Sequence, residues 1–204
     1  TVKPADSTAN YDIAGKVNIW HLAQQQVNVT LVPVGNGAVS TNIADEINAI
    51  YNPAGVQFNI TIAPTMSIDQ SIWDVENANG KLDIGDSNTL ANYTLEERAI
   101  YNYYKTQATL QDQMYYIFVL GTDITITDSA TQGFMPLKRQ YGFVFNPTNK
   151  SRTIAHELGH GIFGLEHPFT EYTIPQSTSD LLMDYGTGMV FTHMDWQKIH
   201  APGL

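Results

Sequence analysis

One pentapeptide constrains this chain more than any other segment: His156-Glu157-Leu158-Gly159-His160. In a helix, residues four apart lie on the same face, so the two histidines would point in one direction. Two imidazoles at this spacing can bind one metal ion, and the glutamate can then act as a general base on a water molecule that the metal holds. Apolar residues on both sides of the pentapeptide predict a helix with a buried face. They disfavour a surface helix that carries two histidines by chance.

A third metal ligand is expected shortly after this helix. Catalytic zinc usually has three protein ligands and keeps a fourth position for water. Gly164 can end the helix in the left-handed conformation, which other residues adopt only at a cost. The chain can then turn back and bring His167, seven residues after His160, to the metal. Glu166 is the alternative third ligand, and we favour His167 because imidazole suits zinc well.

The segment resembles the metzincin family of zinc peptidases, whose pattern is H-E-x-x-H-x-x-G-x-x-H. This chain has one more residue before the glycine and reads H-E-x-x-H-x-x-x-G-x-x-H, with the G-x-x-H half intact from Gly164 to His167. Glu166 therefore stands at the usual spacing of the family's third histidine. Since the glycine and the histidine are displaced together, the resemblance also favours His167 as the ligand.

A second segment, in which residues 181–186 read Leu-Leu-Met-Asp-Tyr-Gly, supports the resemblance. Metzincins carry a methionine turn beneath the metal, and Met183 fits that turn by its order and spacing, 16 residues after His167. A polarizable thioether suits this kind of packing. In the astacin and serralysin branches, a tyrosine two residues after the methionine lies beside the zinc. The resemblance implies that Tyr185 can hydrogen-bond the oxyanion of the tetrahedral intermediate. The alternative is a core methionine and a half-buried tyrosine without a catalytic role.

The composition favours a globular protein and disfavours two classes of partner. The 204 residues are enough for one domain with a sizeable core. A net charge of −10 argues against nucleic acid and against an anionic membrane surface, because both attract basic proteins. No apolar run is long enough to cross a membrane, and without cysteine the metal cannot be held by thiolates.

Hydrophobic patterns predict six strands and four helices. The strands cover residues 16–22, 27–34, 56–62, 114–120, 131–138 and 141–145. The helices cover residues 40–51, with Ser40 or Thr41 as the cap, about 95–109, with Thr94 and Glu97 as a capping box, the metal-binding helix from about 151, and 192–200. Residues 67–92 are expected to be irregular. Acidic turns at 76–80 and 83–86 offer oxygen atoms that Ca²⁺ would accept, although a solvated loop is the favoured interpretation.

The resemblance implies an α+β, metzincin-like (zincin) fold, in which a twisted mixed sheet lies behind the active-site helix. Residues 1–204 would form a single catalytic domain, with an N-terminal subdomain over about 1–163. A small C-terminal subdomain over about 164–204 would hold the methionine turn. The strand at residues 131–138 would form the edge above the cleft, where a polypeptide substrate binds in extended form through main-chain hydrogen bonds.

The expected function is that of a zinc endopeptidase, with one catalytic Zn²⁺ on His156, His160 and His167 and with Glu157 as the general base. The alternatives are a zinc amide hydrolase that acts on peptidoglycan and a catalytically silent zinc-binding module. Bacterial metzincin-like domains also carry a terminal pattern like that of Trp196, Ile199 and His200. Such domains often belong to larger secreted or toxin-type proteins, so we expect a mature or excised domain that is exported.

Overall fold

A five-stranded mixed sheet organises the computed structural model, which describes residues 23–85 and 92–200. Its strands lie in the order β2-β1-β3-β5-β4. All neighbouring pairs are parallel except β4 and β5, which are antiparallel and place β4 at one edge. The strands are β1 (Gln25–Val34), β2 (Val56–Ile62), β3 (Met114–Leu120), β4 (Gly133–Phe134) and β5 (Tyr141–Phe145).

Helices lie in the connections from β1 to β2 and from β2 to β3, whereas β3 reaches its parallel neighbour β5 through a long segment that contains β4, and the fold class is α+β. A 3-10 turn over Asn52–Ala54 follows the first helix, and a π-helical turn over Gly159–Phe163 follows the fourth. None of the helices in the described residues is long and apolar enough to span a membrane. The helices are α1 (Ile43–Tyr51), α2 (Gln70–Trp73), α3 (Leu95–Gln107), α4 (Lys150–Leu158), α5 (Pro168–Glu171) and α6 (His193–His200).

Both faces of the sheet are buried, which explains why β3 and β5 read as nearly continuous apolar runs. Alternate residues of β3 enter two separate cores: Ile117 packs with α1 and α4, and Phe118 packs with α3. On the face that carries α4, a hydrogen bond joins two helices: the buried Tyr51 hydroxyl of α1 donates to the Ala155 carbonyl of α4 at 2.8 Å. The helix that bears the H-E-x-x-H pattern is therefore held against the sheet along its length.

Three of the predicted strands match the structure residue for residue, at 56–62, 114–120 and 141–145, and β1 begins two residues before its predicted start. The strand predicted over residues 131–138 was too long, since β4 covers Gly133–Phe134. Pro136 has no N–H to donate, and Lys138 adopts a left-handed conformation with φ of 55°. The strand predicted at residues 16–22 lies outside the described residues.

The two predicted helix caps had different outcomes. The capping box of α3 is confirmed: Thr94 Oγ1 accepts from the Glu97 N–H at 3.1 Å, and the Glu97 carboxylate accepts from the Thr94 N–H at 2.9 Å. The cap of α1 was wrong, because the helix begins at Ile43 with Asn42 at the cap position. There the Ser40 hydroxyl accepts from the Asn42 N–H and shapes the turn before the helix.

Candidate metal centre

The side chains of His156, His160 and His167 converge on one point. Their Nε2 atoms are 3.1 Å apart between His156 and His160, 3.2 Å between His156 and His167, and 3.1 Å between His160 and His167. All three residues are buried. Within residues 23–85 and 92–200, they form the one group of three or more His, Asp or Glu side chains whose ligand atoms meet.

The first two histidines occupy consecutive turns of one helical segment. His156 belongs to α4, whose first turn is capped by the Asn149 side chain, and His160 belongs to the π turn. In this turn the Gly164 N–H points to the carbonyl oxygens of both Gly159 and His160. A π turn joins residues five apart instead of four, so it contains one more residue than an α turn. It therefore accounts for the extra residue between His160 and Gly164.

Gly164 reverses the chain and brings His167 back toward the helix. It has φ of 67° and ψ of 32°, the left-handed conformation that the sequence predicts for it. The His167 ring then stacks on Phe169, with ring centroids 4.8 Å apart and an interplanar angle of 9°. Glu166 also lines the cleft, but its carboxylate is not part of the converging cluster.

Backbone carbonyls fix the tautomers of two of these rings. Nδ1 of His156 lies 2.8 Å from the Leu182 oxygen, and Nδ1 of His160 lies 2.6 Å from the Leu165 oxygen. A carbonyl can only accept, so each Nδ1 carries the proton and each Nε2 presents a lone pair to the centre of the cluster.

Burial also keeps the three imidazoles neutral. It is the main cause that lowers the pKa of His156 well below its usual value, the pKa of His160 to about 3 and the pKa of His167 to about 4. Tetrahedral zinc with Zn–N bonds of about 2.0–2.1 Å sets its ligand nitrogens roughly 3.3 Å apart. Three neutral imidazoles with converging Nε2 lone pairs, at separations close to that value, fit a zinc ion.

Glu157 lies beside this cluster and is buried, with 5% of its surface exposed. Burial raises the pKa of its carboxyl to about 8, and a hydrogen bond from the Met135 backbone partly counters this increase. The carboxylate packs against strand β4, where Gly133 leaves the space that it occupies. This burial favours the protonated carboxyl in the metal-free site, whereas a cation bound by the three imidazoles would favour the charged form, which can accept a proton and return it.

The segment at residues 181–186 reaches the cluster from below and from one side. Met183 is buried, and its sulfur packs against the first residue of the π turn so closely that a β-carbon on Gly159 would lie 2.7 Å from it. The Tyr185 ring lies 4.8 Å from the His167 ring between centroids and 6.2 Å from that of His156. Because 47% of its surface is exposed, Tyr185 is accessible from the cleft that it lines.

The cleft above the histidines has a volume of about 430 Å³. Strand β4 and the residues after it form one wall, and α4, the π turn and Tyr185 form the floor and the opposite side. The lining residues are Ile84, Gly85, Thr127, Asp128, Thr131, Gly133, Phe134, Met135, Pro136, Leu137, His156, Glu157, His160, Glu166, His167, Thr170 and Tyr185. The predicted site residues, apart from the buried Met183, thus line one cavity.

Two neighbours of the site were missed in the sequence. Arg152 lies four residues before His156, on the same face of α4, and donates to carbonyl oxygens of the 182–188 segment. Gly133, in the cleft wall, lies directly against the Glu157 side chain. Arg152 could have been noticed as a charged residue on the apolar face of the motif helix. No local sequence pattern marks Gly133.

The structure gives no support for calcium in the acidic turns. The carboxylate of Glu96 accepts from the backbone N–H groups of Glu76 and Asp83, and the carboxylate of Glu97 accepts from Thr94 and Gly85. These side chains serve to fold the loop onto α3. Asp86, at the end of the second acidic turn, lies outside the described residues.

Comparison with known proteins gives similarities of fold. No protein-family model and no curated protein matches the sequence. The structure is similar to archaemetzincin (AmzA) from Archaeoglobus fulgidus in complex with malonate, with a TM-score of 0.47 and 12% identity over 84% of this chain and 99% of that one. It is also similar to metalloproteinase-II from Bacteroides fragilis, with a TM-score of 0.49 and 15% identity over 87% of this chain and 53% of that one.

Proposed function

We propose that this protein is a zinc-dependent endopeptidase of the metzincin type. The observation that carries the proposal is the convergence of three buried Nε2 atoms within 3.2 Å of one another, beside a buried glutamate in an open cleft. His156, His160 and His167 would hold one Zn²⁺. Zinc with three protein ligands polarises a carbonyl group and lowers the pKa of water toward neutrality.

Two side chains of the cleft would handle the proton and the developing charge. Glu157 accepts the proton of the attacking water and delivers it to the leaving amine. The Tyr185 hydroxyl donates a hydrogen bond to the oxygen of the scissile carbonyl as negative charge develops there. The placement of both residues along the same cleft as the histidines supports these roles.

The substrate would bind along β4. This strand pairs with β5 on one side and forms the edge of the sheet on the other, and both of its residues line the cleft. An extended polypeptide can add to such an edge as an antiparallel strand through main-chain hydrogen bonds. The carbonyl group to be cleaved would then lie over the histidine cluster.

The reversal at Gly164 supports a boundary between two subdomains, about 1–163 and about 164–204. The sheet and the metal-binding helix lie before it, and the segment with Met183 and helix α6 lies after it. Export, either alone or within a larger protein, stays a prediction from the resemblance of the sequence.

The metal content of purified protein tests the proposal. We expect one zinc per chain in the wild type, less in His167→Ala and an unchanged content in Glu166→Ala. Cleavage of casein or a quenched fluorescent peptide should be abolished by chelation and restored by zinc. Glu157→Gln should retain zinc without turnover, and retained cleavage would overturn the role of Glu157. Cleavage of cell-wall fragments instead of casein would identify an amide hydrolase, and zinc without cleavage of either substrate would identify a binding module.

A further inference from the structure

Arg152 places a cation one helical turn from the candidate metal centre, and no carboxylate of residues 23–85 or 92–200 forms an ion pair with it. It lies one helical turn before His156, and 9% of its surface is exposed. Its Nη2 atom donates to the carbonyl oxygens of Leu182 at 2.9 Å and Asp184 at 2.6 Å, and its Nε atom donates to that of Gly188 at 2.9 Å. One side chain of α4 therefore donates hydrogen bonds to three carbonyl oxygens of a segment that follows it by at least 30 residues.

One of these carbonyls is shared with a candidate metal ligand. The Leu182 oxygen accepts from Arg152 Nη2 at 2.9 Å and lies 2.8 Å from Nδ1 of His156. The acceptor that orients the imidazole is thus itself held by the guanidinium group. Because Arg152 and His156 lie on the same face of α4, their contacts together fix the position of the 182–188 segment along the helix.

The same segment is fixed from its other side by Asp184. This buried carboxylate accepts from the backbone N–H groups of Ser177, Ser179 and Tyr185, and from the Ser179 hydroxyl, at 2.7–3.0 Å. The backbone oxygen of Asp184 faces Arg152 while its side chain folds the preceding loop. The turn that carries Tyr185 is therefore held by two charged groups. The Arg152 guanidinium donates to its carbonyl oxygens, and the Asp184 carboxylate accepts from backbone N–H groups.

We infer that Arg152 is a positioning residue for the metal centre, because it fixes the Leu182 carbonyl that orients His156 and the turn that presents Tyr185. The inference rests on the proposed zinc site. Arginine suits this role because its planar group donates several hydrogen bonds in fixed directions. The ammonium group of lysine is a single point on a flexible stem. Residues that orient metal ligands typically change metal affinity or activity by roughly 10–100-fold when they are replaced.

The test compares Arg152→Gln and Arg152→Lys with the wild type in the full chain. The dissociation constant for zinc is measured by competition with a chelator. The resonance of the His156 Nδ1–H is followed by NMR in the zinc-loaded protein. We expect the zinc dissociation constant to rise about 10–100-fold in Arg152→Gln, with loss of the slowly exchanging His156 resonance. At saturating zinc, kcat for peptide cleavage should fall while KM stays the same.

A matched control separates positioning from general stability. Asn48 bridges α1 and β2 through two buried hydrogen bonds with Phe58, at 2.7 and 3.1 Å, and does not touch the 182–188 segment. Asn48→Ala should lower the melting temperature without changing the zinc dissociation constant. If Arg152→Gln does not fold, Arg152→Lys decides the question, because we expect its zinc affinity to fall about tenfold.

Unchanged zinc affinity and an unchanged His156 resonance in a folded Arg152 variant would overturn the role of Arg152 and leave the zinc site standing. Full rescue by Arg152→Lys would also overturn it, since a charge alone would then suffice. If the wild type itself binds no zinc, the metal centre and this inference fail together. The two failures are therefore distinguishable.

Discussion

A β-carbon on residue 133 would lie 2.6 Å from Oε1 of Glu157, so Gly133 provides the space in which the buried carboxylate sits. The edge strand and the proposed general base are thus in direct contact. This contact makes the position of the carboxylate dependent on a residue that carries no functional group. It also places the proposed substrate-binding edge and the proton acceptor within one small region of the cleft.

We predict that Gly133→Ala impairs cleavage without removing zinc. The added methyl group forces the Glu157 carboxylate away from its position, and a misplacement of about 1 Å can lower a catalytic rate roughly 10²-fold. Steady-state kinetics and metal analysis on the same samples measure the effect. Gly186→Ala is the matched control, because a β-carbon there would meet its nearest atom at 3.4 Å. Full activity in Gly133→Ala would show that Glu157 does not act from this position.

The metal-free protein should lose stability in acid through its histidines. The folded-state pKa values of His160 and His167, about 3 and about 4, lie below the usual value of 6.5, and that of His156 is also lowered. Groups with depressed pKa values bind more protons when the chain unfolds. Their contribution is therefore fully present above pH 6.5 and is lost as the pH falls toward 4.

Urea denaturation of metal-free Glu157→Gln protein between pH 4.5 and 7.5 measures this loss. That background removes the opposite effect of Glu157, whose raised pKa of about 8 makes its contribution fall as the pH rises from about 4.5 to 8. Glu97, whose pKa is raised by burial to about 7, opposes the histidines by up to one proton over the same range. We therefore expect a net slope of about one to two protons, or roughly 1–3 kcal/mol per pH unit, below pH 6. A slope below one proton would contradict the prediction.

Tyr185→Phe tests whether the phenol hydroxyl takes part in catalysis. The ring should keep its contacts with His167 and Phe169, whose centroids lie 4.8 and 5.1 Å away. Loss of one donor to an oxyanion typically lowers kcat by about 10²–10³-fold, so we expect a fall of this order with unchanged zinc content and similar KM. An unchanged kcat would reduce Tyr185 to a packing residue of the cleft wall.

Gly164→Ala should weaken zinc binding through the backbone. A β-carbon at this left-handed position is strained, and it would lie 2.8 Å from Cε of Lys138. Left-handed strain costs on the order of 1 kcal/mol or more, and relief of this strain would shift the path that leads to His167. We expect a lower melting temperature and a raised zinc dissociation constant. Gly164→Asn should be milder, because asparagine tolerates this conformation better than alanine does. Equal effects of the two substitutions would argue that contact with Lys138 dominates.

The parts of the fold that the sequence predicts well are those that local burial determines. The strands at residues 56–62, 114–120 and 141–145 are apolar or alternating runs, and such runs have few alternatives in a sheet with both faces covered. Strand β4 has two residues and exists through its pairing with β5, so no period could define its length. The short helices α2 and α5 have four residues each, too few for a helical period to show.

For the site, the sequence supplied the residue types and their order. It did not supply the contacts between distant segments. The spacing of His156, His160 and Gly164 fits either an α turn or a π turn, and the hydrogen bonds of Gly164 decide between them. Arg152 was missed because its acceptors follow it by 30 to 36 residues and are backbone atoms, which have no signature in a sequence.

The three candidate ligands lie within twelve consecutive residues, from His156 to His167, whereas strand pairing in the sheet joins residues as far apart as Asn28 and Met114. An unfolded chain would therefore still contain a short chelating peptide. Zinc held by this peptide would lessen the stabilisation that the metal gives to the native state, since ligands that bind both states stabilise less. It would also hold one helical turn together before the slow closure of the long loops between strands. In the cell, the arrival of the metal would then influence the order in which the protein folds.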